Sequence, residues 1–349
     1  IANGNIYARG SSDNKGQNFA HIKAVEAYLK TGTELPCDLT FVIEGEEEVG
    51  SEGLAPFLEA NKKDFACAGV VVSDSGMPST KHPALTYALR GVAAMEITLE
   101  GPNADLHSGI FGGCIENPAM ALCQMLGKIR DKNGRIKIPG FYDDVKSLKK
   151  RERESFARLP GSVNQFKRLL GVKELFGEKG FNHHEQRAAR PTFEINGLTS
   201  GYQGEGSKTI VPSSASAKIT IRLVPDQNPT KILKLVAAYL KKICPKSVKL
   251  TIDQGHAGEP YIMDPESELA SAGLRALKNS FHHPPVILRE GGSIPIVSDF
   301  KRILNADSIL LGLGLPDDNL HSPNEKFNLD NFYKGMHMSA DLWKQLGHL

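Results

Sequence analysis

Apolar residues recur at helical spacing between Lys15 and Lys30, with Phe19, Ile22, Val25, Tyr28 and Leu29 on one side, and the pattern stops before Thr31-Gly32. Leu39 to Ile43 reads as a buried strand, Gly53 to Asn61 as a helix and Gly69 to Val72 as a second buried strand. The last ninety residues repeat the style. Ser267 to Lys278 and Asn328 to Leu346 carry helical spacing, while Val286 to Leu288 and Ser308 to Leu311 are short apolar runs of strand type. Apolar strands alternating with helices predict an α/β domain with a mostly parallel sheet flanked by helices.

The middle of the chain breaks this rhythm. Val92 to Leu99 alternates as a strand, Pro118 to Ile129 is helical, and a charged, poorly patterned stretch runs from Asp143 to Arg190. Strands at Thr192 to Ile195 and Ala217 to Leu223, a helix at Thr230 to Cys244 and a strand at Val248 to Ile252 follow. The order β-α-β-β-α-β is that of a split-βαβ, ferredoxin-like α+β unit. The expected organisation is a catalytic domain in two parts, residues 1–90 and 259–349, interrupted by a smaller domain over 91–258.

Composition narrows the function classes. Among 349 residues, 42 Lys and Arg stand against 40 Asp and Glu, a net charge of +2. That balance offers no electrostatic footprint for nucleic acid or an anionic membrane. No apolar run is long enough to span a bilayer. Five cysteines without C-x-x-C spacing fit a reducing, cytoplasmic compartment better than a disulfide scaffold. At the start, Asn3-Gly4 between Ile1-Ala2 and Asn5-Ile6-Tyr7 reads as a hairpin turn with only two residues of its first strand, and Ile1 is not Met. The expectation is a natural protein that continues upstream, where any signal peptide would lie.

The acids collect where ligands bind in open α/β sheets, beyond the carboxyl ends of strands. Asp13 precedes the first helix, Glu44 and Glu46 to Glu48 follow the strand ending at Ile43, and Asp74 follows Val70-Val71-Val72-Ser73. His321 follows the strand Ser308 to Leu311 and a Gly-rich turn. Taken singly, each has a plainer role: helix cap, solvated acidic run, turn residue, loop histidine. Taken together, converging carboxylates repel one another and call for a cation, and carboxylates with imidazole suit Zn, Mn or a similar divalent ion. Two further loops, Asp105-Leu106-His107-Ser108-Gly109 and Arg289-Glu290-Gly291-Gly292-Ser293, carry glycines that let a backbone approach a ligand closely. Arg222 lies in a strand of the inserted unit, facing solvent or clamping a carboxylate. The other histidines, His183, His184, His256 and His348 among them, are set aside as structural.

Read together, Arg9 to Gly16, Glu44 to Gly53, Ser73-Asp74, Asp105 to Gly109, Lys208 to Pro212, Arg289 to Pro295 and His321 to Glu325 resemble the co-catalytic metallopeptidase family that includes glutamate carboxypeptidase, acetylornithine deacetylase and carnosinase-type dipeptidases. The likeness is greatest to its cytosolic nonspecific dipeptidase branch. The resemblance implies a two-metal hydrolase of dipeptides. Asp13 would bridge both ions, Glu48 and His321 would complete one site, and Asp74 would bind the second ion. Glu47 would be the general base. His107 would stabilise the oxyanion across a homodimer interface made by the inserted lid domain. Thr209, Arg222, Ser293, Asp74 and His321 match substrate-binding positions, with Arg222 facing the dipeptide carboxylate and Glu290 a candidate for the free amine. A cis peptide at Asp13-Asn14 is also implied.

One element of the family pattern is missing. The upstream His-x-Asp motif, whose histidine is the last ligand of the second ion, has no counterpart before His21. The expectation is therefore one complete triad, Asp13, Glu48 and His321, and a second ion that is weak or absent. Two rival functions remain open: an N-acyl-amino-acid deacylase or carboxypeptidase of the same family, and a non-catalytic peptide- or metal-binding protein.

Overall fold

Asn3 and Gly4 both take positive φ (50° and 74°), and Ala2 and Asn5 exchange backbone hydrogen bonds of 3.0 and 2.9 Å across them. This is the left-handed turn that joins antiparallel strands. In the computed structural model, which describes residues 1–347, the strand leaving that turn, β1 (Asn5–Tyr7), pairs antiparallel with β13 (Lys326–Asn328). Two segments far apart in the sequence are thereby stitched together close to Asp13. His348 lies outside the described residues.

Helix α1 (Gly16–Thr31) ends at Gly32 in the left-handed conformation, where the 3.6-residue pattern stops. Its packed face differs from the apolar one in the sequence. Gln17, Ala20, His21 and Ala24 are buried, whereas Phe19 and Leu29 are 50% and 67% exposed. Small residues on that face let α1 approach α11 (Leu329–Leu346), which in turn packs on α9 (Glu268–Phe281). The catalytic sheet beneath is built from β2 (Val70–Val72), β3 (Ala84–Leu89), β10 (Tyr261–Ile262), β11 (Val286–Glu290) and β12 (Ser308–Leu310). The pairs β11–β3 and β12–β2 are parallel, while β12–β3 and β10–β3 are antiparallel. Every residue of β3 is buried, and the sequence pattern had not singled it out.

The strand expected over Leu39 to Ile43 is a correction. This segment lies in no ladder among the described residues, and Ile43 is 66% exposed. An apolar run becomes a strand only where a neighbour takes its backbone hydrogen bonds; β2 has such a neighbour in β12, and 39–43 has none. Helix α2 (Leu54–Ala60) follows.

The inserted unit matches the split-βαβ pattern. Its sheet runs β6 (Thr192–Ser200), β8 (Ser214–Leu223), β4 (Gly91–Glu100), β9 (Lys249–Gly258), antiparallel throughout. Helices α4 (Pro118–Gly127) and α8 (Pro229–Ile243) close its own core around Ile97, Leu99, Leu122, Ile219 and Val236. A small ladder of β5 (Leu106–His107) with β7 (Ile210–Val211), followed by α3 (Ser108–Phe111), projects from it. The charged stretch contains α5 (Lys150–Ala157), α6 (Val163–Leu170) and α7 (His183–Ala189). Both α5 and α7 pack on β11 of the catalytic sheet. Arg289 of β11 bonds Glu152 of α5 and Tyr87 of β3, and Ser155 Oγ donates to the Ile287 carbonyl at 3.1 Å.

His21 is the polar pin of the catalytic core. Its Nε2 lies 2.7 Å from Ser73 Oγ and its Nδ1 2.7 Å from Ser339 Oγ. Burial pushes its pKa from 6.5 down to about 4. Folded protein therefore keeps this ring neutral while unfolded chain takes up a proton below about 6.5, so stability is fully present above that pH and falls as pH drops toward 4. The expected loss is about 3 kcal/mol. Urea unfolding at pH 7 and pH 4.5 should show it, and His21→Asn should flatten that part of the profile.

Candidate metal centre

The loop carrying Asp13 is shaped by a carboxylate that sequence reasoning had not assigned. Glu325 is buried and accepts from the backbone N–H groups of Gly10 (2.7 Å), Ser12 (3.0 Å) and Asp13 (3.0 Å). Burial alone would raise its pKa, but these donors together with Arg9 outweigh that and hold it below the usual range. Gly16 follows, where any β-carbon would collide with the Ser11 carbonyl and the Phe327 ring. The Asp13–Asn14 peptide is cis, and Asn14 Nδ2 donates to Asp74 Oδ1 at 2.8 Å. One loop thus presents the Asp13 carboxylate and steadies that of Asp74.

His321 comes from the other end of the chain. Its backbone is left-handed, at φ 57°, a conformation that costs a β-substituted residue roughly 1–2 kcal/mol. Its Nε2 lies 2.8 Å from Asp13 Oδ2 and 3.1 Å from Glu48 Oε2. Ligand atoms of Asp13, Glu48 and His321 all fall within 4.8 Å of one another. Arg9 braces the group, with Nη2 2.9 Å from Glu48 Oε1 and Nη1 3.0 Å from Glu325 Oε2.

Around this triad the negative charge is crowded. Burial, then the charges of Asp74, Glu48, Asp13 and Glu44, push Glu47 up to about 7. Burial, then Asp13, push Asp74 up to about 6 despite the Asn14 hydrogen bond. Glu44 Oε2 is buried without a partner among the described residues, its other oxygen accepting from Ser51 Oγ. Two carboxylates and an imidazole converging on one point fit a divalent cation, whose charge would offset the repulsion that, after burial, lifts Glu47 and Asp74.

The triad opens into a cavity of about 840 Å³. Asp13, Glu47, Glu48, Asp74 and His321 line one end, and Arg187, Glu290 and Ser293 line another part of the wall. Behind Ser293 lies a cationic pair. Arg222 Nη1 donates to Ser293 Oγ at 2.9 Å, Ser293 Oγ donates to the Arg90 carbonyl at 2.5 Å, and Arg90 Nε donates to the Gly291 carbonyl at 2.9 Å. Burial, then the charge of Arg222, push Arg90 down to about 10. Arg90 was missed in the sequence; a lone charge between two apolar strands, Leu89-Arg90-Gly91, was the available signal.

His107 and Thr209 sit elsewhere. His107 pairs with Ile210 across the β5–β7 ladder, the Ser108 N–H donates to the Thr209 carbonyl at 3.0 Å, and neither His107 nor Thr209 lines the cavity. The structure therefore brings those two together at a second place, away from the cavity of their own chain. His183 and His184, set aside earlier, line the cavity with their rings 4.0 Å apart.

The family profile described as Peptidase family M20/M25/M40 matches residues 1–345. The Cys-Gly metallodipeptidase of Schizosaccharomyces pombe is 35% identical over 338 residues, 95% of this chain and 71% of that protein. The human Beta-Ala-His dipeptidase is 31% identical over 351 residues, 99% of this chain and 71% of its own length. The crystal structure of an M20 family metallo-carboxypeptidase of Sulfolobus solfataricus superposes with a TM-score of 0.88 at 31% identity, covering 100% of this chain and 79% of that one. With acidic and imidazole groups from distant segments gathered on one loop system, and that profile matched along nearly its whole length, the chain belongs to peptidase family M20/M25/M40.

Proposed function

We propose that this protein hydrolyses dipeptides in a metal-dependent reaction, with Glu47 as general base. The observation that carries the reading is the convergence of Asp13, Glu48 and His321 beside a carboxylate, Glu47, that is held near neutrality. Asp13, Glu48 and His321 would hold one divalent cation, Zn or Mn, and Asp74 would serve a second, weaker position beside Asp13. A bound cation supplies Lewis-acid polarisation of the scissile carbonyl and of water. Glu47 takes the proton of the attacking water and delivers it to the leaving amine nitrogen, the two-way task for which a pKa near the working pH is suited.

The dipeptide carboxylate goes to Arg222 and Ser293, and Glu290 faces the free amine. Residues 91–258 act as lid and dimerisation domain. A second copy supplies His107 for the oxyanion and Thr209 for the substrate, a reading supported by their absence from their own cavity and by exposed Ile110 and Phe111 beside them. The homodimer, the cytoplasmic location and the choice between Zn and Mn belong to this proposal. All five cysteines are unpaired, and no described helix is long and apolar enough to cross a membrane.

The likeness to a metallo-carboxypeptidase supports a second reading, removal of a C-terminal residue from longer or acylated substrates. Unblocked and N-acylated dipeptides offered side by side separate the two. A dipeptidase turns over the free-amine forms and spares the blocked ones; equal turnover favours the carboxypeptidase.

Glu47→Gln should lower kcat by about 10²–10⁴-fold while leaving metal content unchanged; a variant with full turnover removes the mechanism. Cation binding itself is expected to be proton-linked. Glu47 and Asp74 are partly protonated at pH 6–7 because their pKa values are raised, and a cation lowers them, so titration calorimetry in two buffers should detect proton release at pH 6.5 that fades above pH 8. The same titration should give one tight ion per chain, two tight ions contradicting it.

A further inference from the structure

The two domains are joined with almost no slack. Strand β3 ends at Leu89 and β4 begins at Gly91, so Arg90 is the entire first connection. The return passes Gly258 to Pro260, and a β-carbon on Gly91 would stand 2.6 Å from both the Gly258 carbonyl oxygen and the Pro260 nitrogen. At this crossing, Arg90 reaches into the catalytic domain. Its Nε holds the Gly291 carbonyl at 2.9 Å, and an Nη is directed at the Arg190 carbonyl at 3.4 Å. Its own carbonyl receives Ser293 Oγ, which receives Arg222 Nη1. Arg222 lies in β8, opposite Val92 of β4. Hydrogen bonds therefore link the two domains at this crossing, with Ser293 joined both to Arg222 and to the Arg90 carbonyl.

The charge on Arg90 is not neutralised by an ion pair among the described residues. Glu290 is near enough to be felt, but one of its oxygens is taken by the Gly291 N–H at 2.8 Å. Glu194 adds a second negative charge nearby, while Arg222 and Arg187 add positive potential at the same place. A largely buried guanidinium beside two other cations is costly unless an anion arrives.

We propose that Arg90 is a positioning residue for the substrate's C-terminal carboxylate: it fixes Gly291 and Ser293 at the domain crossing and sets a second guanidinium behind Arg222. This rests on the dipeptide reading above, which places that carboxylate at Arg222 and Ser293. The role is electrostatic and geometric at once, so losing it weakens the hold on a free carboxylate and leaves an uncharged terminus unaffected.

Calorimetric titration of Ala-Ala and of its C-terminal amide into the metal-loaded full chain carrying Glu47→Gln keeps turnover out of the measurement. With Arg90 present, Ala-Ala is expected to bind at least about tenfold more tightly than the amide. Arg90→Met should weaken Ala-Ala about tenfold and leave the amide within twofold. Arg90→Lys, which keeps charge but not the fork to two carbonyls, should fall between. Equal weakening of both peptides, or of neither, overturns the assignment. Should Arg90→Met fail to fold, Arg90→Lys decides: a selectivity reduced about threefold supports the role, and an unchanged one ends it. If neither peptide binds when Arg90 is intact, the dipeptide reading fails and this inference with it. Equal loss on substitution leaves that reading standing and removes only Arg90.

Discussion

Four carboxylates, Asp13, Glu47, Glu48 and Asp74, are held closer together than their charges favour, and the rest of the catalytic domain is organised around keeping them there. The restraint is mostly backbone. Glu325 gathers three consecutive-region N–H groups and so sets the loop on which Asp13 stands, while Arg9 ties Glu48 to the same anchor. What burial and then repulsion leave behind is chemistry: one carboxylate with its pKa pushed up to about 7 and another to about 6. Crowding that would be a defect in a structural protein is, on the proposed reading, the means of tuning a base beside a cation.

Much of this was legible in the chain, and the parts that were not have physical causes. The β-α-β-β-α-β order of the inserted unit could be read because each strand and helix buries a face against the others, so period and burial coincide. Strand β3 went unread because the pattern of Ala84 to Leu89 is neither alternating nor long, though it is buried on both faces. Leu39 to Ile43 failed in the opposite sense: its composition is that of a strand, but β-structure is a property of pairs. In α1 the helix was legible and its packed face was not, since Ala20 and Ala24 carry little hydrophobic signal yet are buried, while Phe19 and Leu29 remain at least half exposed.

The site divides along the same line. Acids at the ends of strands, and a histidine after a glycine-rich turn, can be found by asking where ligands bind in α/β sheets. Residues that act through others, such as Glu325, Arg90 and His21, leave almost no trace in sequence, because a lone polar residue in an apolar setting has many possible causes. Only their hydrogen bonds give them a role. The charged stretch 143–190 is similar. Its polarity hid three helices, two of which pack on β11, and one of these, α7, puts His183, His184 and Arg187 on the wall of the cavity.

The pairing of Asp13 with His321 spans 308 positions of chain. Closing so long a loop is entropically expensive and cannot precede the sheet and helices that bring its ends together. A cation held by the triad would act as a clasp between two segments of the catalytic domain that lie far apart along the polypeptide.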